Sequence, residues 1–169
     1  MIQVRVFRLD KDAVTDSPVV LLQAVGEKRV LPIWIGHAEA SAIDFQLAGR
    51  SFERPLTHDL LRLVIEGFDA RVQKVVITEL KGNTFFAQIL LARGDEILAI
   101  DARPSDSIAL ALRTRAPLFV ASELFKNNSR EIVVLAEPEP EEEAADDEAA
   151  DDPLKEYLDE PDPPDNFNL

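Results

Sequence analysis

The sequence predicts an α+β fold: a β-β-β-α unit used twice, with one helix between the copies and a mixed, mostly antiparallel sheet packed against helices. Three observations carry this. Short stretches of alternating or continuous apolar character are bounded by turn residues, and each block of three is followed by an apolar pattern of helical period. The second block repeats the first at a constant offset of 65 residues.

Ile2, Val4 and Val6 alternate with polar residues, which is a strand, and Lys11 to Pro18 is a polar turn. Pro18 to Val25 is β-rich, Gly26-Glu27-Lys28 turns the chain, and Val30 to Ile35 resumes an apolar run that includes Trp34; the pair reads as a hairpin. From His37, Ala40, Ile43 and Leu47 fall at helical spacing until Gly49 stops the helix. A second helix runs from about Thr57, its expected N-cap, to Glu66, and Gly67 ends it. Val72 to Leu80, Thr84 to Ala92 and Ile97 to Ile100 are three strands joined by Lys81-Gly82-Asn83 and Arg93-Gly94-Asp95. Pro104 opens a helix with Ile108, Ala111 and Leu112 on one side, and a short strand, Leu118 to Ala121, follows Pro117.

The repeat can be read directly: PIWIGHAEASAIDFQLAGR (32 to 50) lies over ILAIDARPSDSIALALRTR (97 to 115), matching Ile35 with Ile100, Ile43 with Ile108, Leu47 with Leu112 and Arg50 with Arg115.

Composition limits the possible functions. No stretch approaches the roughly 18 apolar residues of a membrane span, and the first ten residues lack a signal-peptide core, so the expectation is a cytoplasmic protein without a membrane partner. The absence of cysteine excludes disulfides, thiolate nucleophiles and Cys-ligated metals, and two histidines, His37 and His58, exclude a His-rich centre. The net charge of −14 is unevenly placed: from Glu137 to Leu169 there are 15 acids against Lys155 alone, which leaves 17 acids and 17 bases before it. A neutral domain over 1–136 and an acidic, disordered tail over 137–169 are therefore expected. Such a domain does not attract nucleic acid over long range, and the tail repels phosphate. Homo-oligomerisation and contact of the tail with a basic protein are left open, as is a tail that competes with nucleic acid. Leu154, Tyr157 and Leu158 form a small apolar cluster within the tail.

Three ordered segments, LPIWIGHAEASAI (31 to 43), RPLTHDLL (54 to 61) and AIDARPSDSIALALR (99 to 113), together resemble the bifunctional nuclease domain family over about Ile2 to Leu135. The resemblance implies an α+β domain that cleaves DNA and RNA, with Mg²⁺ or Mn²⁺ as the expected cofactor and nucleic acid as the substrate. It transfers no defined set of catalytic residues, and the acidic tail lies outside it.

Phosphodiester cleavage needs an activated water, stabilisation of the charged transition state and help for the leaving oxygen, which clustered carboxylates holding a divalent cation supply. Asp101 at a strand end, Asp106 in the first turn of the next helix and Glu39 at the equivalent turn of the first copy are the metal-binding and catalytic candidates. Arg103, Arg54 and Ser105 are phosphate-binding candidates, and His58 is the proton-transfer candidate. The competing readings are structural. Ser105 and Asp106 suit a helix start, Arg103 suits a pair with Asp101, and Glu39 suits a helix N-terminus. Gly36 would let a ligand or backbone approach closely. His58 and Asp59, about 100° apart on a helix, are expected to reach different partners. His37 and Asp44 read as surface residues, and Phe52, Phe85 and Phe86 do not form a stacking platform, with Phe85 and Phe86 expected in the core. Loops of the P-loop, HExxH, G-x-S-x-G and EF-hand types are absent. The leading function is a metal-assisted nuclease; the alternative is a noncatalytic ligand- or protein-binding regulatory module.

Overall fold

The computed structural model describes residues 1–131; the expected acidic tail lies outside the described residues. The elements run β1 (Ile2–Lys11), β2 (Pro18–Ala24), β3 (Arg29–Trp34), α1 (His37–Leu47), α2 (Thr57–Gly67), β4 (Ala70–Lys81), β5 (Thr84–Arg93), β6 (Glu96–Ala102), α3 (Pro104–Thr114), β7 (Leu118–Val120), α4 (Ser122–Asn128) and β8 (Arg130–Glu131). The fold is α+β, and the β-β-β-α order occurs twice as the repeat requires. Helix α4 and strand β8 have no counterpart in the sequence reading.

All strands join one sheet in the order β6-β5-β4-β7-β1-β2-β3-β8. Among the described residues every pairing is antiparallel except β4 with β7. Each copy contributes a three-stranded meander, and β7 lies between the first strands of the two, antiparallel to β1 and parallel to β4.

Bulges shape the sheet. In β1 the pairing shifts between Val6 and Arg8, so the core-facing residues change from even (Ile2, Val4, Val6) to odd (Leu9), and Phe7 is left partly exposed. In β4, shifts between Val72 and Lys74 and between Ile77 and Glu79 carry the core face from Val72 to Val75 and Ile77 and then to Leu80. Bulges add to right-handed twist. The resulting curl brings β3 to the β4–β5 turn although β7, β1 and β2 lie between them in strand order: Trp34, Asn83 and Phe85 line one cavity.

That turn is Gly82-Asn83, with φ of +52° and +65°, joining Lys81 to Thr84 in two residues. Two successive positive φ values are the type I′ geometry that suits twisted hairpins. Helix α2 ends differently from the expectation: the left-handed residue is Asp69 (φ 55°), and Gly67 stays helical.

The core lies between the sheet and α3. Seven residues of α3 are buried, Ile108, Ala109 and Leu110 completely, beside Val20, Leu22, Leu31, Ile33, Val75 and Ile77. Helix α4 adds Phe125, which is fully buried. No described helix is long and apolar enough to cross a membrane.

Candidate functional site

The site forms where the first turns of α1, α2 and α3 meet. Its centre is Arg103, the residue that precedes α3. Nη1 of Arg103 forms an ion pair with Oε1 of Glu39 at 2.8 Å, while Nε donates to Oδ2 of Asp106 at 2.7 Å and Nη2 to Oδ1 of Asp106 at 3.1 Å. His58 Nε2 lies 3.3 Å from the same Oδ1 of Asp106. The result is a chain, Glu39–Arg103–Asp106–His58, with members from both copies and from the helix between them.

Burial grades along this chain. The side chain of Arg103 is 66% exposed, whereas those of Asp106, Glu39 and His58 are 30%, 20% and 13% exposed. Burial opposes ionisation of Asp106, but hydrogen bonds from Arg103 and His58 outweigh it and hold the carboxyl below the usual range. Arg103 is held charged even more firmly than an ordinary arginine, first by its hydrogen bonds to Asp106.

Capping does not account for Asp106. No side chain caps the start of α3, and both Asp106 oxygens are directed at Arg103 and His58. Ser107, fully buried, donates its hydroxyl to the Arg103 carbonyl at 2.9 Å and so fixes the backbone from which the arginine projects.

Gly36, the N-cap of α1, has a second role. A Cβ at this position would collide with the Glu39 carboxylate, which folds back over it. The absent side chain gives Glu39 the room to meet Arg103.

His58 and Asp59 do diverge. Asp59 accepts from Nε of Arg113 at 2.7 Å and from the backbone N–H of Leu56 at 3.0 Å. Burial again opposes its ionisation, and the hydrogen bonds from Arg113 and Leu56 prevail to lower its pKa. The N-cap of α2 is thus Leu56, with Thr57 inside the helix, and the Asp59 carboxylate accepts from the Leu56 N–H. Arg113, only 4% exposed, also donates to the carbonyls of Ala42 and Ala109, so one guanidinium ties α1, α2 and α3 together. Sequence reasoning passed over this residue, because a helical arginine in its last turn reads as a dipole partner.

Asp101 is not brought to the site. It lies opposite Gln88 in β6, while its neighbour Ala102 pairs with buried Ala87 on the helix side. Successive strand residues face opposite ways, so Asp101 points from the other face of the sheet, exposed, and makes no pair with Arg103. Arg54 is exposed in a neighbouring hollow with Arg50 and Arg62. Ser105 is buried and lines a cavity with Glu39 and Arg103. His37 and Asp44 are exposed beside another hollow, with Lys11. Phe85 is half-buried: it packs against the core, as expected for it, and its remaining surface lines cavities.

The Mg²⁺ or Mn²⁺ ligand set expected from the sequence does not fit this arrangement. Asp101 is on the far face, and Arg103 already engages both remaining carboxylates. Among the described residues no three His, Asp or Glu side chains converge as metal ligands would.

Two cavities flank Arg103. One, about 570 Å³, is lined by Glu39, His58, Arg103, Asp106 and Arg113; the other, about 320 Å³, by Trp34, Glu39, Phe85, Arg103 and Ser105.

The bifunctional nuclease domain matches residues 20–132, two thirds of the chain. The chain belongs to the bifunctional nuclease domain family. An uncharacterized protein of Mycobacterium tuberculosis is 35% identical over 163 residues, covering 96% of each chain. Bifunctional nuclease 1 of Oryza sativa subsp. japonica is 27% identical over 141 residues, 82% of this chain and 41% of its own length. Bifunctional nuclease 1 of Arabidopsis thaliana is 23% identical over 118 residues, 68% and 36% of the two lengths. The chain thus resembles a part of each plant nuclease. All four members of the Arg103 chain lie inside the region matched by the bifunctional nuclease domain.

Proposed function

We propose that this bifunctional nuclease domain protein hydrolyses phosphodiester bonds of DNA and RNA at the Glu39–Arg103–Asp106–His58 site. The observation that carries the reading is an exposed guanidinium held rigidly by two carboxylates between two cavities. Of its five N–H donors, two are hydrogen-bonded to Asp106 and Nη1 is ion-paired with Glu39, which leaves donors for a phosphate oxygen. Arg103 therefore binds phosphate without first losing its supports.

His58 supplies the proton chemistry. With Nε2 turned to Asp106, the carboxylate fixes the ring and leaves Nδ1 to take a proton from water. The hydroxide attacks phosphorus in the cavity shared by His58 and Arg103, the P–O bond to the sugar oxygen breaks, that oxygen takes a proton from solvent water, and His58 returns its own proton to solvent, while the remaining guanidinium donors stabilise charge on the phosphoryl oxygens as it develops. Glu39 holds the guanidinium in plane. No step is assigned to Asp101 or Arg54, and Ser105 is kept as a further phosphate contact on the Trp34 side.

The test is cleavage of single- and double-stranded DNA and RNA by the full chain in Mg²⁺, Mn²⁺ or EDTA. Arg103→Ala is expected to lower the rate by about 100-fold or more while leaving the unfolding transition within about 1 kcal/mol of wild type. A wild-type chain that cuts none of these substrates would overturn the proposal and favour a noncatalytic binding module.

A further inference from the structure

The chain's single tryptophan is left unused by the reaction just described. Trp34 ends β3 with 48% of its surface exposed, a large apolar area to leave in water. It is not loose. Its indole N–H donates to Oδ2 of Asp12 at 3.1 Å, and Oδ1 of Asp12 accepts from the backbone N–H groups of Val14 and Thr15 at 3.0 and 2.9 Å. These bonds, that from Thr15 first, lower the Asp12 pKa to about 2, so the anchor stays ionised across the working range. With its one polar atom satisfied, the ring has only its apolar surface to offer, in a fixed orientation.

Trp34, Asn83 and Phe85 line two adjoining cavities, one running toward Asn127 and Arg130 and the other toward Arg103. The second, at about 320 Å³, is the size of a small ligand pocket, and it joins the His58 cavity through Glu39 and Arg103. A strand with one phosphate on Arg103 thus has an adjacent base beside Trp34.

We infer that Trp34, with Phe85, is a nucleobase-stacking subsite that makes the site select single-stranded nucleic acid. Every base has an aromatic face, so the subsite accepts all four bases; a duplex keeps those faces stacked internally and cannot offer one without unpairing. Asn83 at the tip of the hairpin and Asn127, both exposed, bring amide donors and acceptors to the edge of the stacked base. The inference rests on the nuclease reading for its phosphate anchor, but it makes a separate prediction.

Because Trp34 is unique, its fluorescence reports the subsite directly. Titration of the full chain in EDTA with an uncleavable phosphorothioate oligonucleotide is expected to quench the emission; a base-free abasic strand of the same length is expected to leave it unchanged. A duplex of the same sequence should bind more weakly. Trp34→Ala should raise the single-strand Kd roughly 5- to 150-fold, and Trp34→Phe should recover most of the loss. Quenching without any cleavage under any metal condition would keep the subsite and remove the nuclease reading. Cleavage with unchanged emission and an unaffected Kd in Trp34→Ala, or equal quenching by the abasic strand, would remove the subsite. Absence of both binding and cleavage would remove both.

Discussion

Helix α1 buries one residue, Ile43, whereas α3, its counterpart at an offset of 65, buries seven. The contrast extends to polar positions. Where α3 carries Asp106, Ser107 and Arg113, the first copy has Ser41, Ala42 and Ala48. The outer strands differ too: β3 is continued by β8, while β6 is the open edge of the sheet, with Ile97, Leu98 and Ile100 exposed. Both copies line the core, but only the helix of the second is sunk into it, and that copy carries Arg103, Asp106 and the Arg113 guanidinium that ties the helices. The other supplies a glutamate, the notch that admits it and a pinned tryptophan. Duplication provides matching bends, and divergence gives each bend a different part of one site.

The sharpest break between the copies should come from Asp59→Ala, which strips the nearly buried Arg113 of its carboxylate. A loss of about 3 to 5 kcal/mol in denaturant unfolding is expected, against no more than about 0.5 kcal/mol for Asp44→Ala on the exposed side of α1. Equal losses would show that the tie among the helices is not what separates the copies.

Gly36→Ala acts on the first copy alone. The added Cβ displaces the Glu39 carboxylate from Arg103. Cleavage should fall by about tenfold while the unfolding midpoint barely moves, since misplacing a positioning group costs rate before it costs stability.

Acid should separate the copies more gently. Asp59 and Asp106 have folded-state pKa values below their unfolded ones, so each adds stability that is fully present above the ordinary aspartate value of about 3.9 and is lost as pH falls through the lower folded value. Urea unfolding at a series of pH values should show this loss, and Asp59→Asn should flatten it.

The smallest effect belongs to Asp101→Asn: no change in cleavage and none in Mn²⁺ titration, because the side chain points away from the other acids. A fall in either would return Asp101 to the site.

Much of the architecture was legible because apolar periodicity records it. Val75 and Ile77, Ile43 and Ile108 each announce the face they bury, and a shared offset announces the repeat. Helix α4 escaped notice because seven residues with two buried side chains, Leu124 and Phe125, are too short for a period to show. The site was half legible. Polar side chains densely placed after a strand pointed to Arg103 and Asp106, and the divergence of His58 from Asp59 followed from helical geometry. Asp101 and Trp34 were not placed, for one reason: which face of β6 meets α3, and how far bulges curl β3 toward Asn83, are decided by long-range packing rather than by neighbours in sequence.

A double-mutant cycle on cleavage rate, with Glu39→Gln from the first copy and His58→Ala from the intervening helix, tests most directly whether these residues work as one unit. Among the described residues the two side chains are joined through Arg103 and Asp106. If the chain acts as a single site, the double variant should be scarcely slower than the slower single variant. Losses that simply multiply, or single variants as active as the wild type, would contradict the account.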